Sequence, residues 1–106
     1  MYARIAFFED HDPAQIDELL RRLEERSRHH AEVLPESRAF LALVDREAGK
    51  SIGITFFDTR EAMEASEGAL ASFPQTYAES LKGRRVGLEV YELGVADRPG
   101  EIKVRR

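Results

Sequence analysis

The chain has 106 residues, with 16 Lys and Arg against 20 Asp and Glu, so its formal net charge is −4. This length holds one domain, and a 42% share of apolar residues is typical of a globular protein rather than a disordered one. No apolar run reaches the roughly 18 residues of a membrane span, and the N-terminus lacks the pattern of an export signal. We therefore expect a cytoplasmic protein without a membrane partner.

Absent residue types narrow the partners and cofactors. Without Cys there are no disulfides, thiolate metal sites or Cys nucleophile. The acidic balance argues against nucleic-acid binding, which depends on clustered Lys and Arg. The sequence contains no Gly-rich phosphate loop, nucleophile elbow or paired-carboxylate motif. We expect no cofactor, no metal and no nucleic-acid partner.

The first strand and the first helix are predicted from the N-terminal third. Aromatic and β-branched residues over Tyr2–Phe8 predict a strand. Asp12 is placed to cap a helix that begins at Pro13. An apolar stripe at helical spacing continues through Ser27 and on to His30, and we expect the helix to end near residues 30–33. The earlier members of this stripe are Ile16, Leu19, Leu20 and Leu23.

Three further strands follow. A polar, Gly-containing loop separates Ser37–Val44 from Ser51–Phe57, so these segments are predicted to pair as a hairpin, and Arg85–Leu93 is the fourth strand. The second helix is expected between the hairpin and the last strand. The order βαββαβ predicts an α+β, ferredoxin-like fold, with a four-stranded antiparallel sheet and two helices on one face. We assign residues 1–96 to this domain and 97–106 to a C-terminal tail.

The second helix begins after the hairpin. Asp58 or Thr59 is placed to cap it, and Pro74 is expected to kink it or to split off its last turns. Its apolar stripe runs through Met63, Ser66, Leu70, Phe73 and Tyr77.

Apolar residues occupy both faces of the predicted sheet, although the two helices cover only one. The second strand, for example, places Phe40, Ala42 and Val44 on one face and Leu41 and Leu43 on the other. Monomers seldom expose an apolar patch beyond a few hundred Å². The pattern therefore predicts a homodimer that pairs sheet face to sheet face. A monomer with scattered apolar residues is the alternative.

Two consecutive segments carry a resemblance to a known family. Residues 40–50 read Phe-Leu-Ala-Leu-Val-Asp-Arg-Glu-Ala-Gly-Lys, and residues 51–66 read Ser-Ile-Gly-Ile-Thr-Phe-Phe-Asp-Thr-Arg-Glu-Ala-Met-Glu-Ala-Ser. A strand pair that leads through an aromatic residue into an acidic-capped helix resembles the antibiotic-biosynthesis-monooxygenase-type domains, which are widespread in bacteria. These domains belong to the dimeric α/β-barrel superfamily, so the resemblance implies a ferredoxin-like dimer. The superfamily includes cofactor-free oxygenases, haem degraders and small-ligand binders.

The sequence departs from that family at residues tied to known activities. Members that oxidise polycyclic aromatics or degrade haem carry an Asn and a Trp in the cleft, and this chain has neither residue type. Phe57 stands at the end of the third strand, where related sequences often carry Trp. The second helix contains no His, so the resemblance implies no iron ligand there. A copy of either known site is excluded, and a diverged chemistry stays open.

His30 and Tyr77 are the candidate catalytic residues. His30 continues the apolar stripe of the first helix, where a partly buried imidazole can act as a base. The alternative for His30 is a structural role, bonded to a backbone carbonyl near the helix end. Tyr77 can orient a substrate through its phenol, or pack in the core with its hydroxyl at the surface. The candidate ligand-binding residues, as walls of a cleft, are Phe40, Phe57, Met63 and Phe73.

Other basic side chains admit more than one interpretation. His11 lies within the acidic segment 9–12, which suggests a metal, yet adjacent residues cannot all converge on one ion and the segment also forms a helix cap. His29 is expected to point into solvent. Arg4 and Arg38 lie on strands, where they can bind an anionic ligand by a forked contact or form salt bridges across a dimer.

These observations favour a homodimer whose protomers each hold a small, mainly apolar cleft between helices and sheet. If the protein is an enzyme, we expect cofactor-independent oxidation or isomerisation of a small hydrophobic compound, with His30 as the base and Tyr77 as the orienting phenol. The alternative is a non-catalytic small-ligand-binding or stress-associated structural dimer, in which the same residues are core.

Overall fold

The computed structural model describes residues 1–29, 32, 34–72 and 83–97. Within these ranges four strands form one sheet, and helices lie on one of its faces. The strands are β1 (Tyr2–Glu9), β2 (Ser37–Asp45), β3 (Lys50–Phe57) and β4 (Arg84–Glu92). The helices are α1 (Ile16–Ser27), α2 (Arg60–Ala65) and α3 (Glu67–Ser72).

All strand pairs are antiparallel, and the order across the sheet is β2-β3-β1-β4. Strand β1 is therefore central and pairs with β3 on one side and β4 on the other. The hairpin of β2 and β3 forms as predicted. The predicted ferredoxin-like α+β fold is confirmed. A register shift at Phe7 and Phe8 marks an irregularity in the pairing of β1 with β4.

The beginning of α1 follows the sequence, whereas its end does not. The Asp12 carboxylate accepts a hydrogen bond from the backbone N–H of Ala14 at 3.0 Å, and one 3₁₀ turn precedes the α-helix. The helix ends at Ser27, earlier than predicted. The expectation that Ser27 is buried is wrong, because this side chain is exposed and its hydroxyl donates to the carbonyl oxygen of Glu24 at 2.6 Å. The half-buried residue of this turn is instead Arg26.

The predicted second helix is divided at Ser66. Thr59, rather than Asp58, caps α2 by accepting a hydrogen bond from the Ala62 N–H at 3.1 Å. The Ser66 hydroxyl donates to the carbonyl oxygen of Ala62 at 3.1 Å, a back-bond that often bends helices, and α3 begins at the next residue. Pro74, where the kink was predicted, lies outside the described residues.

A packed cluster fills the space between α2, α3 and the end of the sheet. It consists of Leu34, Phe57, Met63 and Leu70, all of which are buried. Full burial of each such side chain contributes roughly 1.5–3 kcal/mol to folding. This cluster fixes α2 and α3 on the face that we call the inner face of the sheet.

The opposite, outer face of the sheet is apolar and partly exposed. Leu43 is 50% exposed and Tyr91 is 53% exposed. Ile5, Phe7 and Ile54 are half-buried on the same face. The predicted two-sided apolar pattern is therefore present in the folded chain. Among the described residues, no helix is both long and apolar enough to cross a membrane.

One ion pair ties α3 to the central strand. The Arg4 guanidinium donates from Nε to Glu67 Oε2 at 2.9 Å and from a terminal nitrogen to Oε1 at 2.7 Å. Arg4 is 5% exposed, whereas the Glu67 side chain is 46% exposed. This contact lies within one chain and joins residues 63 positions apart.

The turn of the hairpin depends on Gly49. Its φ is +66°, a left-handed conformation that glycine adopts without cost. Its carbonyl accepts a hydrogen bond from the His11 N–H at 3.0 Å, and a Cβ at this position would collide with the His11 carbonyl oxygen. Gly68 in α3 is different, because a Cβ there would meet nothing within 4 Å.

We expect Gly49→Ala to lower the free energy of unfolding by more than about 1 kcal/mol, because the left-handed backbone and the collision both oppose Cβ. The control Gly68→Ala should be neutral or stabilising by up to about 1 kcal/mol, because alanine favours helices. Urea unfolding at one protein concentration measures both. A Gly49→Ala protein as stable as Gly68→Ala would contradict the turn geometry.

The Arg4–Glu67 pair makes stability depend on pH. The hydrogen bond from Arg4 lowers the pKa of Glu67 below its ordinary 4.5, and this outweighs the opposing effect of burial. A lowered folded-state pKa adds stability above pH 4.5 that is lost as the pH falls below this value. When the pH is lowered by ~3 units, from pH 6 to pH 3, we therefore expect the free energy of unfolding to fall less in Glu67→Gln than in the wild type. Urea titrations at each pH measure it. The exposed Glu64→Gln is the matched control, and an equal acid loss in both variants would contradict the role of the pair.

Candidate functional site

A cavity of about 90 Å³ lies between α1 and the inner face of the sheet. Its floor exists because three adjacent strands place small residues side by side. Ala42 pairs with Gly53, and Gly53 pairs with Ala6. The walls are mostly apolar and include Phe8, Leu19, Leu23, Phe40, Val44 and Leu70.

A buried imidazole and a hydroxyl meet at this cavity. His11 is 6% exposed, and its Nε2 lies 2.7 Å from the Ser51 Oγ. Both residues line the cavity. The tautomer of His11 decides which atom donates. At this distance the imidazole can take a proton from the hydroxyl or return one to it.

Two glycines position the His11 side chain. The Gly49 carbonyl holds the His11 backbone N–H, as described above. Gly83, with φ at +63°, lies so close that a Cβ there would be 2.7 Å from Cε1 of the imidazole. His11 is therefore confined between the hairpin turn and the beginning of β4.

The side chains of Asp10, His11 and Asp12 point in three different directions and have different partners. Asp10 accepts a hydrogen bond from Arg84 Nε at 2.9 Å, and Asp12 caps the first helix. The imidazole turns inward to Ser51. The segment works as a cap, as the sequence suggested, and the burial of His11 is a feature that the sequence analysis did not predict.

Basic groups line another part of the cavity wall. Arg4 lies beside Thr55, which is 2% exposed and pairs with it across β1 and β3. The guanidinium carbon of Arg26 stands 4.8 Å from the centroid of the Phe40 ring, a cation–π contact. The wall of the cavity is thus mostly apolar, with basic side chains at Arg4 and Arg26.

The structure places the predicted ligand-binding residues in different surroundings. Phe40 lines the cavity. Phe57 and Met63 lie instead in the packed cluster with Leu34, because the end of β3 reaches past the cavity to α2. Phe73 lies outside the described residues.

The predicted catalytic residues, His30 and Tyr77, also lie outside the described residues, so their roles stay predictions. His29 is exposed, and its Nδ1 lies 3.7 Å from a carboxylate oxygen of Glu32. Arg38 is also exposed and lies 3.5 Å from the Asp58 carboxylate.

Sequence reasoning missed the contact of His11 with Ser51. The strand alternation does place Ser51 on the same face as Gly53 and Thr55. Its partner lies 40 residues away, and no local pattern connects them. The register of β1 against β3, which pairs Phe8 with Ser51, brings them together.

A second, larger depression lies on the outer face and has a volume of about 550 Å³. Phe7, Leu43, Ile52 and Val86 form its apolar part. Charged residues of both signs are also among its lining residues, namely Glu9, Asp45, Lys50 and Glu89.

Comparisons with known proteins add to this geometry. No family model and no curated protein matches the sequence. One similar solved structure is that of a candidate antibiotic biosynthesis monooxygenase from Deinococcus radiodurans. It matches at 16% identity and a TM-score of 0.51, over 92% of this chain and 97% of that one. Another, an antibiotic biosynthesis monooxygenase, matches at 20% identity and a TM-score of 0.49, over 92% of this chain and 100% of that one.

The structural match over 92% of this chain establishes the fold, whereas an identity of 16% leaves the activity open. The strand order, the inner helices and the match to the Deinococcus radiodurans structure agree with the resemblance stated from the sequence. The chain thus has the ferredoxin-like fold of antibiotic-biosynthesis-monooxygenase-type domains.

Proposed function

We propose that the protein is a homodimer whose inner cavity binds a small hydrophobic compound and begins its cofactor-independent oxidation by removing a proton. The observation that carries this proposal is the His11–Ser51 pair at 2.7 Å in the wall of an otherwise apolar cavity. An imidazole in such a place can serve as a general base.

The chemistry requires a substrate that is itself a weak acid, such as a small phenol or enol. His11, directly or through the Ser51 hydroxyl, accepts its proton. The electron-rich anion then supplies electrons to O₂, and a carbon–oxygen bond forms to give a peroxide. The peroxide takes up a proton and loses water, which leaves a carbonyl on the product. One oxygen atom of O₂ enters the product and the other leaves as water.

The cavity limits the size of the substrate. At about 90 Å³ it is below the roughly 300 Å³ at which ligand pockets usually begin. A compound of one ring or a short chain is therefore the expected size class. Polycyclic compounds do not fit this volume.

The small volume also favours the alternative, a non-catalytic small-ligand-binding or stress-associated structural dimer. In that case the His11–Ser51 hydrogen bond only fixes the hairpin against the first strand. His30 as the base and Tyr77 as the orienting phenol remain part of the proposal, and His11 competes with His30 for the role of base.

The outer face supports the homodimer. An isologous interface needs a patch that is complementary to itself under a two-fold axis. The depression around Leu43 and Val86 combines apolar side chains with both acidic and basic groups, including Lys50 and Glu89. Stable interfaces bury about 800 Å² on each partner, which a sheet face of four strands can supply.

Leu43→Glu should convert the dimer to a monomer at micromolar concentration, because it introduces a charge into the apolar patch. Leu43 is already 50% exposed in the protomer, so the fold itself should tolerate the change. Val95→Glu, at an 87% exposed position beyond β4, is the matched control and should stay dimeric. Light scattering after size exclusion measures both, and a monomeric wild type would contradict the proposal.

We expect His11→Asn to lower oxygen uptake with small monocyclic phenols by about 100-fold or more, the usual contribution of a general base. His29→Asn removes an exposed imidazole and should leave the rate unchanged. An oxygen electrode measures uptake, and circular dichroism checks that each variant is folded.

The outcomes separate the candidate roles. Full activity in His11→Asn together with a loss in His30→Asn would assign the base to His30. If the wild type consumes no oxygen with any compound but binds some of them, the ligand-binding alternative is correct.

A further inference from the structure

We infer that the inner cavity selects small organic anions, with the carboxylate, phenolate or enolate of the ligand held at Arg4. The inference rests on the proposed function only for the location of the ligand. It adds the charge class of the compound and the residue that recognises it.

The distribution of charge carries the first step. The chain has a net charge of −4, with 20 acidic residues. Yet the described residues that line the cavity include Arg4, Arg26 and His11 and no Asp or Glu. Apolar surroundings strengthen the attraction between an anion and these groups, because little water screens it.

The geometry of Arg4 carries the second step. Its side chain is only 5% exposed, and its guanidinium already holds one carboxylate, that of Glu67, by a forked contact at 2.9 and 2.7 Å. Arginine forms such forked contacts with carboxylates in general. The site is therefore built to bind this functional group, and the Glu67 carboxylate occupies it.

The Glu67 carboxylate can move away from Arg4 when a ligand anion binds there. Its side chain is 46% exposed, so water can solvate the carboxylate when it moves away from Arg4. Arg4 lowers the pKa of Glu67 most, and the more distant charge of Arg85 lowers it a little further. A ligand anion can replace Glu67 at Arg4 while Glu67 remains in the field of Arg85. Arg4 then stays paired throughout, which avoids the cost of an uncompensated buried charge.

Butyrate and butyramide test the inference, because they have the same number of non-hydrogen atoms and differ in charge. In NMR titrations of the full-length protein, we expect butyrate to bind at least about tenfold more tightly than butyramide, since charge-assisted hydrogen bonds are about twice as strong as neutral ones. The amide signals of Gly53 and Thr55, which line the cavity, report on occupancy.

Variants then identify the anchor. Glu67→Gln should strengthen butyrate binding about tenfold and leave butyramide binding unchanged, because the competing carboxylate is gone. Arg4→Met should remove the preference for butyrate. Arg21→Met, which removes an exposed arginine of α1, is the control and should not change either affinity.

Several results would overturn the inference. These are equal affinities for the two compounds, weaker butyrate binding by Glu67→Gln, and no binding of either compound. Glu67→Gln keeps the test valid even if Arg4→Met fails to fold. Oxygen is not consumed in this experiment, so butyrate selection without oxidation of any substrate would support the anion site and contradict the proposed oxidation. Equal binding of the two compounds, together with oxygen uptake when a small phenol is supplied, would contradict the anion site and support the proposed oxidation.

Discussion

The alternation of side chains along the central strand is the constraint on which the rest of the protein depends. Strand β1 pairs with a strand on each side. Because successive side chains of a strand point to opposite faces, each residue of β1 lies on either the inner or the outer face of the sheet. Arg4, Ala6 and Phe8 contribute to the cavity, whereas Ile5 and Phe7 lie on the outer face. A slip of one residue would exchange these sets and remove both the cavity and the apolar outer surface.

Two kinds of polar contact make the inner face unlike an ordinary core. The Arg4–Glu67 pair joins residues 63 positions apart, and the His11–Ser51 pair joins residues 40 apart. Each brings a polar side chain of the sheet into contact with a residue outside the sheet. Among the described residues, no buried side-chain nitrogen or oxygen lacks a partner. Polar groups that are this well satisfied add specificity to a packed interior without a large loss of stability.

The fold was predictable because its signals are local. Aromatic and β-branched runs, the Asp12 cap and the polar hairpin loop each act within about ten residues, and β1–β4 and the beginning of α1 appear where these signals place them. The division at Ser66 was not predictable from the apolar stripe, since it depends on a hydroxyl bonding back to Ala62. The candidate site was only partly accessible. The face of the strand on which Phe40 lies was enough to predict that it lines the cavity. Phe57 belongs to the packed cluster instead. The burial of His11 depends on two glycines that are distant in sequence.

The row Ala42–Gly53–Ala6 has a consequence for how such a protein can change. These three residues lie in register on neighbouring strands, so side-chain size along one line of the sheet sets the depth of the cavity. A Cβ at Gly53 would make ordinary contact with the Phe40 ring at 3.5 Å, so even that position has room for a methyl group. Proteins with this backbone can therefore differ in the volume of this cavity through single exchanges between small residues. The outer face, which points the other way, is untouched by such exchanges, so the depth of the cavity and the apolar surface of the outer face can diverge independently.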